Sequence, residues 1–432
     1  MEVREARAEY LATPVFKQTE AGTIPSDWKL IPFAEAVGSY IDYRGRTPRK
    51  LGMDWGDGEI LALSANNVQA GRIAPEKEAY FGSKALYEKW MVQGDCEIGD
   101  VLLTMEAPLG NVAQIPDDRK YILSQRVVLI KPKLWLLRDY LARFMMGSYF
   151  QNLLDSNATG TTAKGIQRAK LDELPIYVPP DTAEQQAIAD TLGDADALIE
   201  SLEHLLAKKR QIKQGTMQAL LTGQQRLPGF EGAWEPILVG ELLSFKNGLN
   251  KAKAFFGHGT PIVNYMDVFS SPSVDTRLLT GRVTVSCDEL KCFDVRRGDV
   301  LFTRTSETPD EVGLSSVVMN EPVNTVFSGF VLRGRPKNNR LADSFKAYCF
   351  RSHPVRKQII SSATYTTRAL VNGRLLSNVS LLVPSTEEQT AIATVLTDMD
   401  AEIAALEARL AKARALKQGM MQTLLTGRIR LV

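Results

Sequence analysis

Residues 180–227 align without a gap onto residues 384–431, and 29 of the 48 positions are identical. Like sequence at a fixed offset of 204 residues has to be buried in like fashion, so the chain must fold as two copies of one unit. Both copies carry Glu-Gln, then Ala-Ile-Ala at 187–189 and 391–393, then Lys-Gln-Gly, and both close on Leu-Leu-Thr-Gly at 220–223 and 424–427. The segments between the copies diverge strongly. A symmetric frame carrying two different readers is the simplest molecule with that pattern.

Each copy predicts one long helix. Asp181 and Ser385 stand three residues before Glu184 and Glu388, a capping-box spacing, with Pro180 and Pro384 ahead of them. Gly223 and Gly427 supply the left-handed stop. In between, apolar residues recur at alternating steps of four and three: Ile188, Leu192, Ala195, Ile199, Leu202 and Leu206, then Ile392, Leu396, Met399, Ile403, Leu406 and Leu410. That is the seam of a coiled coil. Over 182–222, six acids precede four bases, and 386–426 repeats the count. The helix dipole favours this order. Antiparallel pairing favours it further, because the acidic half of each copy would face the basic half of the other. At about 1.5 Å per residue, 41 helical residues would span ~60 Å, with Gly193, Gly215 and Gly419 as the points where such a rod could bend or break.

The variable segments, residues 1–179 and 228–383, share fainter echoes: Trp28 and Trp234, Gly99-Asp100-Val101-Leu102 and Gly298-Asp299-Val300-Leu301, and Thr-rich turns at Thr161-Thr162 and Thr366-Thr367. They read as one fold, copied and diverged. Apolar β-type runs at 101–104, 127–130, 283–286, 316–319 and 380–383 and helical stretches at 135–154 and 344–361 make the class α+β. The expected organisation is two α/β recognition domains, 1–179 and 228–383, separated by two long antiparallel coiled-coil helices, 180–227 and 384–432, with a pseudo-two-fold internal repeat. The net charge of +2 is too small to mark a nucleic-acid protein. Each helical copy carries −2, however, which leaves +6 on the variable segments.

No P-loop or dinucleotide-binding turn is present. Tyr177-Val178-Pro179-Pro180 lacks the Asn or Asp and the final aromatic of an amino-methyltransferase turn. With three histidines and no finished carboxylate cluster, catalysis has little to draw on, and the residues point to a binding protein. Cys96, Cys287, Cys292 and Cys349 form no Cys-x-x-Cys pair, so neither a structural zinc nor a disulfide framework is expected. The charged start and the absence of a long apolar run predict a cytoplasmic chain without a membrane span.

DNA contact has several candidates. Arg44, Arg46 and Arg49 surround Gly45 and Pro48 in a loop, and Asn247, Asn250 and Lys251 occupy the similar place in the second half. Arg and Asn can read guanine and adenine edges bidentately; a solvated turn would look the same. Polar loops follow the two Gly-Asp-Val-Leu strands, at Thr104 to Glu106 and at Arg304, Thr305, Ser306 and Glu307. Different chemistry at one place is what different specificity requires, although each could equally be a buried polar turn. Thr161, Thr162 and Lys164, and Thr366, Thr367 and Arg368, combine hydroxyl with cation, as phosphate contacts do. They could equally cap short helices.

Taken together, Glu-Gln, Ala-Ile-Ala, the heptad stretch, Lys-Gln-Gly-x-Met-Gln-x-Leu-Leu-Thr-Gly and Arg226-Leu227-Pro228-Gly229-Phe230 before Trp234 resemble the helical regions of specificity subunits of type I restriction-modification enzymes. The opening from Lys17 to Trp28 looks like that family's start, and the resemblance covers the whole chain. It implies a non-catalytic DNA-binding subunit whose two domains each bind one half of an asymmetric bipartite site. It implies two modification subunits docked on the helices, which hold S-adenosylmethionine and methylate adenine. It further implies restriction subunits that translocate and cut DNA with ATP and Mg, leaving no cofactor in this chain. The rival readings are a coiled-coil scaffold for protein interactions without DNA binding, an enzyme with an unrecognised site, and the specificity chain of a system with a fused methylase-nuclease.

Overall fold

The computed structural model describes residues 15–19, 22–56, 58–124, 126–161, 163–365 and 367–431. Two long helices dominate it, Thr182–Leu221 and Thr386–Leu424, and both run unbroken through Gly193, Gly215 and Gly419. The chain divides into two compact units, residues 1–202 with 409–432, and residues 203–408. Each unit therefore contains one recognition domain and a part of both helices.

The helices are antiparallel within each unit. In the first, Asp196 pairs with Lys417 and Glu184 with Arg430, so numbers fall along one segment as they rise along the other. In the second, Lys213 pairs with Asp400, Lys209 with Glu402 at 2.6 Å, and Arg210 with Glu407 at 2.5 Å. These are the acid-to-base matches that the order of charges predicts. The seam is buried where the four-three spacing puts it, at Ile188, Leu192, Leu202 and Leu206 and at Ile392, Leu396, Ile403 and Leu410. Gly223 and Gly427 adopt φ of +70° and +67°, the left-handed stop.

The recognition domains share one topology, although their sequences barely align. In the first, an antiparallel sheet orders Leu109–Gln114, Val101–Met105, Val127–Pro132 and Val37–Asp42. In the second, Ser315–Val318, Val300–Thr303, Val331–Pro336 and Leu243–Asn247 follow the same order, with Ser273–Val274 added in parallel at the edge. Each domain adds a three-stranded sheet with one parallel and one antiparallel pairing. Each is also closed by an antiparallel pair, Lys29–Pro32 with Pro175–Val178 and Glu235–Leu238 with Ser380–Val383.

Alternate residues of each central sheet enter different cores. Val101, Leu103, Val128 and Ile130 pack with Ile188 and Leu192 of the long helix, while Leu102, Val127 and Leu129 pack beneath the small sheet. Val300 and Phe302 face Ile392 and Leu396, and Leu301 faces the other way. Burial on both faces explains why these strands read as continuous apolar runs rather than alternating ones.

Three expectations give way. The stretches 135–154 and 344–361 are each two helices, Arg138–Met146 with Ser148–Ser156 and Asp343–Cys349 with His353–Ser362. Gly147 turns extended between the first two, and Pro354, which lacks an N–H, opens the fourth. Of 283–286, Val283 alone lies in a strand, and Ser286 caps the helix Cys287–Cys292.

The expected capping boxes do not close through their acids. Glu184 and Glu388, both buried, are held instead by residues distant in sequence. Arg430 forks onto Glu184 with Nη2 to Oε2 at 2.7 Å, and Trp28 donates its indole N–H to the same carboxylate at 3.3 Å. Arg226 forks onto Glu388 at 2.5 and 2.7 Å, and Trp234 donates at 3.1 Å. Beside them, Gln185 accepts from the Leu137 N–H at 2.9 Å and donates to the carbonyls of Trp135 and Pro179. Gln389 repeats this with Ala342, Arg340 and Pro384. The Glu-Gln pair common to both repeats thus fastens each long helix to its own domain.

Candidate nucleic-acid interface

The chain reaches its candidate reading surface where the second strand of each central sheet ends. In the second domain, Val300–Thr303 leads through Arg304 to Thr305–Ser306, which pairs antiparallel with Ala369–Leu370. Thr364–Tyr365 lies on the other side of Ala369–Leu370. This brings Thr305, Ser306, Glu307 and Arg368 into one groove with Tyr265, Glu311 and Phe330. The groove mixes acceptor, donor and aromatic groups: Glu307 is 82% exposed, Arg368 meets it at 3.4 Å, and Phe330 is 61% exposed. Thr367, exposed, precedes Arg368, and Thr366 lies outside the described residues.

Several expected contacts are internal struts here. The Ser306 side chain is buried and donates to Glu311 Oε2 at 2.9 Å. Arg304 reaches back to the Gly329 carbonyl at 3.3 Å, and its buried Nε has no partner among the described residues. It therefore props the turn that carries Phe330. Lys251 pairs with Glu289 at 2.7 Å, donates to the Thr284 carbonyl and lies over the Phe255 ring, with its side chain only 14% exposed. Its ammonium holds the Glu289 carboxyl below the usual range, so this charge is spent inside the fold. Asn247 and Asn250 remain exposed at and just after the end of the strand Leu243–Asn247.

The first domain has the same construction with other chemistry. Glu106 bridges to Gly165, and Ile166 donates its N–H to the Met105 carbonyl at 3.0 Å, as Val371 does to Arg304 at 3.0 Å. Glu106 is half exposed and meets Arg126 at 3.8 Å. Thr161 is exposed nearby in sequence, Lys164 pairs with Asp155, and Thr162 lies outside the described residues. Thr104 is fully buried, and its Oγ1 accepts from the Asn111 N–H at 2.9 Å. That removes it from any surface. In the basic loop, Arg44 is bidentate to Asp42. Burial pushes the Asp42 carboxyl up, but Arg44 outweighs this and holds it low. Arg46 donates to the Trp90 carbonyl at 2.9 Å and sits over Tyr43. Arg49, exposed, is the one of the three with no side-chain bond among the described residues.

Sequence reasoning missed Arg126, Phe330 and Tyr265. No period marks Arg126 and Phe330, which stand on turns before strands, or Tyr265, which opens the short helix Tyr265–Phe269, and only the tertiary fold brings these side chains to the surface that the polar loops form. Among the described residues no group of three His, Cys, Asp or Glu is placed to hold a metal, the four cysteines are unbridged, and no helix is long and apolar enough to cross a membrane.

Two copies of one α+β domain on antiparallel coiled-coil helices, each presenting side chains of different chemistry at one place, define a protein with two recognition domains. The family described as type I restriction modification DNA specificity domain matches twice, over residues 37–214 and 234–414, and the chain belongs to that family. It is 22% identical over 429 residues to the type I restriction enzyme MjaVIII specificity subunit of Methanocaldococcus jannaschii, with 96% of each chain covered. It is 21% identical over 399 residues to the StySPI specificity subunit of Salmonella potsdam, covering 86% of this chain and 81% of that one. The crystal structure of a type I restriction-modification S subunit from M. genitalium matches with a TM-score of 0.55 at 14% identity, covering 96% of this chain and 99% of that one. A chain from a structural study of assembly and conformational transition in the type I system gives 0.58 at 18%, covering 94% and 99%. At those identities the structural likeness speaks for the fold.

Proposed function

We propose that each recognition domain of this specificity subunit reads one half of an asymmetric, bipartite DNA site, and that the chain directs adenine methylation or restriction carried out by partner subunits. The observation that carries this reading is the matched pair of strand ends: one backbone frame, built twice, presents Glu106 with Arg126 in one copy and a groove with Thr305, Glu307, Phe330 and Arg368 in the other. Base edges are distinguished by their pattern of donors, acceptors and methyl groups, so a reader of two unlike half-sites needs such a difference at one place. Phosphate contacts fix register without carrying sequence, a role that suits Arg49, Thr161 and Thr367.

The helices, in this reading, act as spacer and dock two modification subunits. A repeated surface receives the same partner twice, as closed symmetry requires. S-adenosylmethionine, ATP and Mg would act on those partners and on the restriction subunits, and the assembly would work in the cytoplasm. The test is genome-wide mapping of methylated adenines in cells with and without this chain. A bipartite motif that disappears with the chain supports the reading. A methylation pattern indifferent to it, with no footprint on DNA, would favour the protein scaffold.

A further inference from the structure

Around these strand ends, one pair of residues shares its place in the sheet and differs sharply in chemistry. Arg126 and Phe330 each occupy the residue before the third strand of the central sheet, Val127–Pro132 and Val331–Pro336. The carbonyl of each accepts from the end of the neighbouring strand: Met105 N–H to Arg126 at 2.8 Å, Arg304 N–H to Phe330 at 2.9 Å. The next residue, Val127 or Val331, is wholly buried, whereas Arg126 is half exposed and Phe330 is 61% exposed. Arg126 holds φ at +68°, a conformation that L side chains rarely adopt and that clusters at working surfaces. One exposed phenylalanine means little alone. Its standing at the position that the other copy gives to a strained, exposed arginine is what needs explaining.

We propose that Arg126 and Phe330 are specificity-determining residues, Arg126 reading a guanine through its guanidinium fork and Phe330 packing on the methyl group of a thymine. This rests on the reading of the chain as a DNA-specificity subunit. The long 3.8 Å pairing with Glu106 leaves the Arg126 fork free to present two N–H groups to the O6 and N7 acceptors of guanine. Glu106, next to it, would accept from the amino group of a cytosine. Phe330 offers no hydrogen bond, and in the major groove the thymine methyl is the apolar feature on offer. Thr305, at the place of Glu106, adds a methyl group of its own where the first domain has a charge.

The test selects bound duplexes from a random-sequence pool with the full chain, together with whatever modification subunits co-purify with it. Guanines of the selected site are then replaced by 7-deazaguanine and thymines by uracil, which deletes the N7 acceptor or the methyl group and little else. We expect Arg126→Gln to lose preference at one position of one half-site by roughly 5- to 150-fold, and 7-deazaguanine there to weaken the wild type but not the variant. Arg126→Lys, which keeps the charge and loses the fork, relaxes the same position while keeping salt-dependent affinity. Phe330→Ala makes binding indifferent to one thymine in the other half, where uracil costs the wild type about fourfold. Folded variants that select the wild-type site with unchanged sensitivity to both analogues overturn the proposal, as would both variants altering the same half. If the wild type selects no sequence at all, the DNA-specificity reading itself fails.

Discussion

Replacing Gln185 by Leu should loosen the first unit by about 3 kcal/mol. The side chain is completely buried and makes three hydrogen bonds, to the Leu137 N–H at 2.9 Å and to the carbonyls of Pro179 and Trp135 at 3.0 and 3.2 Å. Leu137 is the N-cap residue of a helix whose cap has no side-chain acceptor of its own, so the donor is stranded when Gln185 goes. Leucine fills similar volume, which leaves the polar loss uncompensated: at about 1 kcal/mol for each neutral bond, the three amount to about 3 kcal/mol. Gln389→Leu should cost the second unit the same, because its bonds to Ala342, Arg340 and Pro384 measure 2.8, 2.8 and 3.0 Å. With two units in one chain a single melting temperature is poorly defined. The assay is native-state hydrogen exchange by mass spectrometry, comparing peptides of each unit with Gln186→Leu as control. Gln186 is exposed and bonds only to Asp190 among the described residues, so its replacement should stay within about 0.5 kcal/mol. If Gln185→Leu falls near the control, or the two equivalent sites differ by more than about 1 kcal/mol, the fastening role is wrong.

Three further outcomes follow from particular contacts. Gly427→Ala should destabilise more than Gly223→Ala: both hold left-handed φ, at a cost of about 1 to 2 kcal/mol, but a Cβ on Gly427 would meet Pro25 at 2.3 Å whereas one on Gly223 has 3.6 Å to Trp234. Chemical denaturation followed by tryptophan fluorescence ranks them, and equal losses would refute the packing argument. A thiol reagent near pH 8 should titrate two cysteines quickly, the exposed Cys287 and Cys292; burial encloses Cys349 and pushes the Cys96 thiol up to about 12. Four fast thiols in the native protein would contradict that. The hydrogen bonds of Arg430 hold the Asp27 carboxyl below its ordinary 3.8. A carboxyl lowered by folding stabilises above the ordinary value and loses that contribution as pH falls through the folded one. Exchange of peptides covering 426–431 should therefore rise below about pH 4 in the wild type, and the rise should be smaller in Arg430→Gln. A rise of equal size in both would sink the assignment.

The frame was legible because periodicity records it: the four-three seam, the segregated charges and the two glycine stops each constrain one helix, and together they require an antiparallel pair. The sheets were legible as apolar runs, but not their order, since pairing between 101–105, 127–132 and 37–42 leaves no mark on local composition. Long-range polar contacts were invisible for the same reason. Glu184 and Glu388 sit at a perfect capping-box spacing, yet Arg430 and Arg226 offer a charged, bidentate partner that a single backbone N–H cannot match. Basic residues deceived most. Arg44 and Lys251 look like surface cations in one dimension, but Asp42 and Glu289 neutralise them, one by adjacency and one across the domain. The polar loop of 304–307 survives in part, with Thr305 and Glu307 in the groove and Arg304 and Ser306 turned into its supports.

The ties from Glu184 to Arg430 and from Asp196 to Lys417 join stretches more than two hundred residues apart, whereas the second unit is a single continuous stretch of chain. During synthesis from the amino end, every residue of the second unit is made before residues 409–432. The first, although its recognition domain emerges earliest, has to wait. Ile188 and Leu192 lack the packing of Leu424 and Leu425 until translation reaches them. The part made first is thus finished last, and an apolar helix face stays open to chaperones, or to a wrong partner, while the whole second unit is being made.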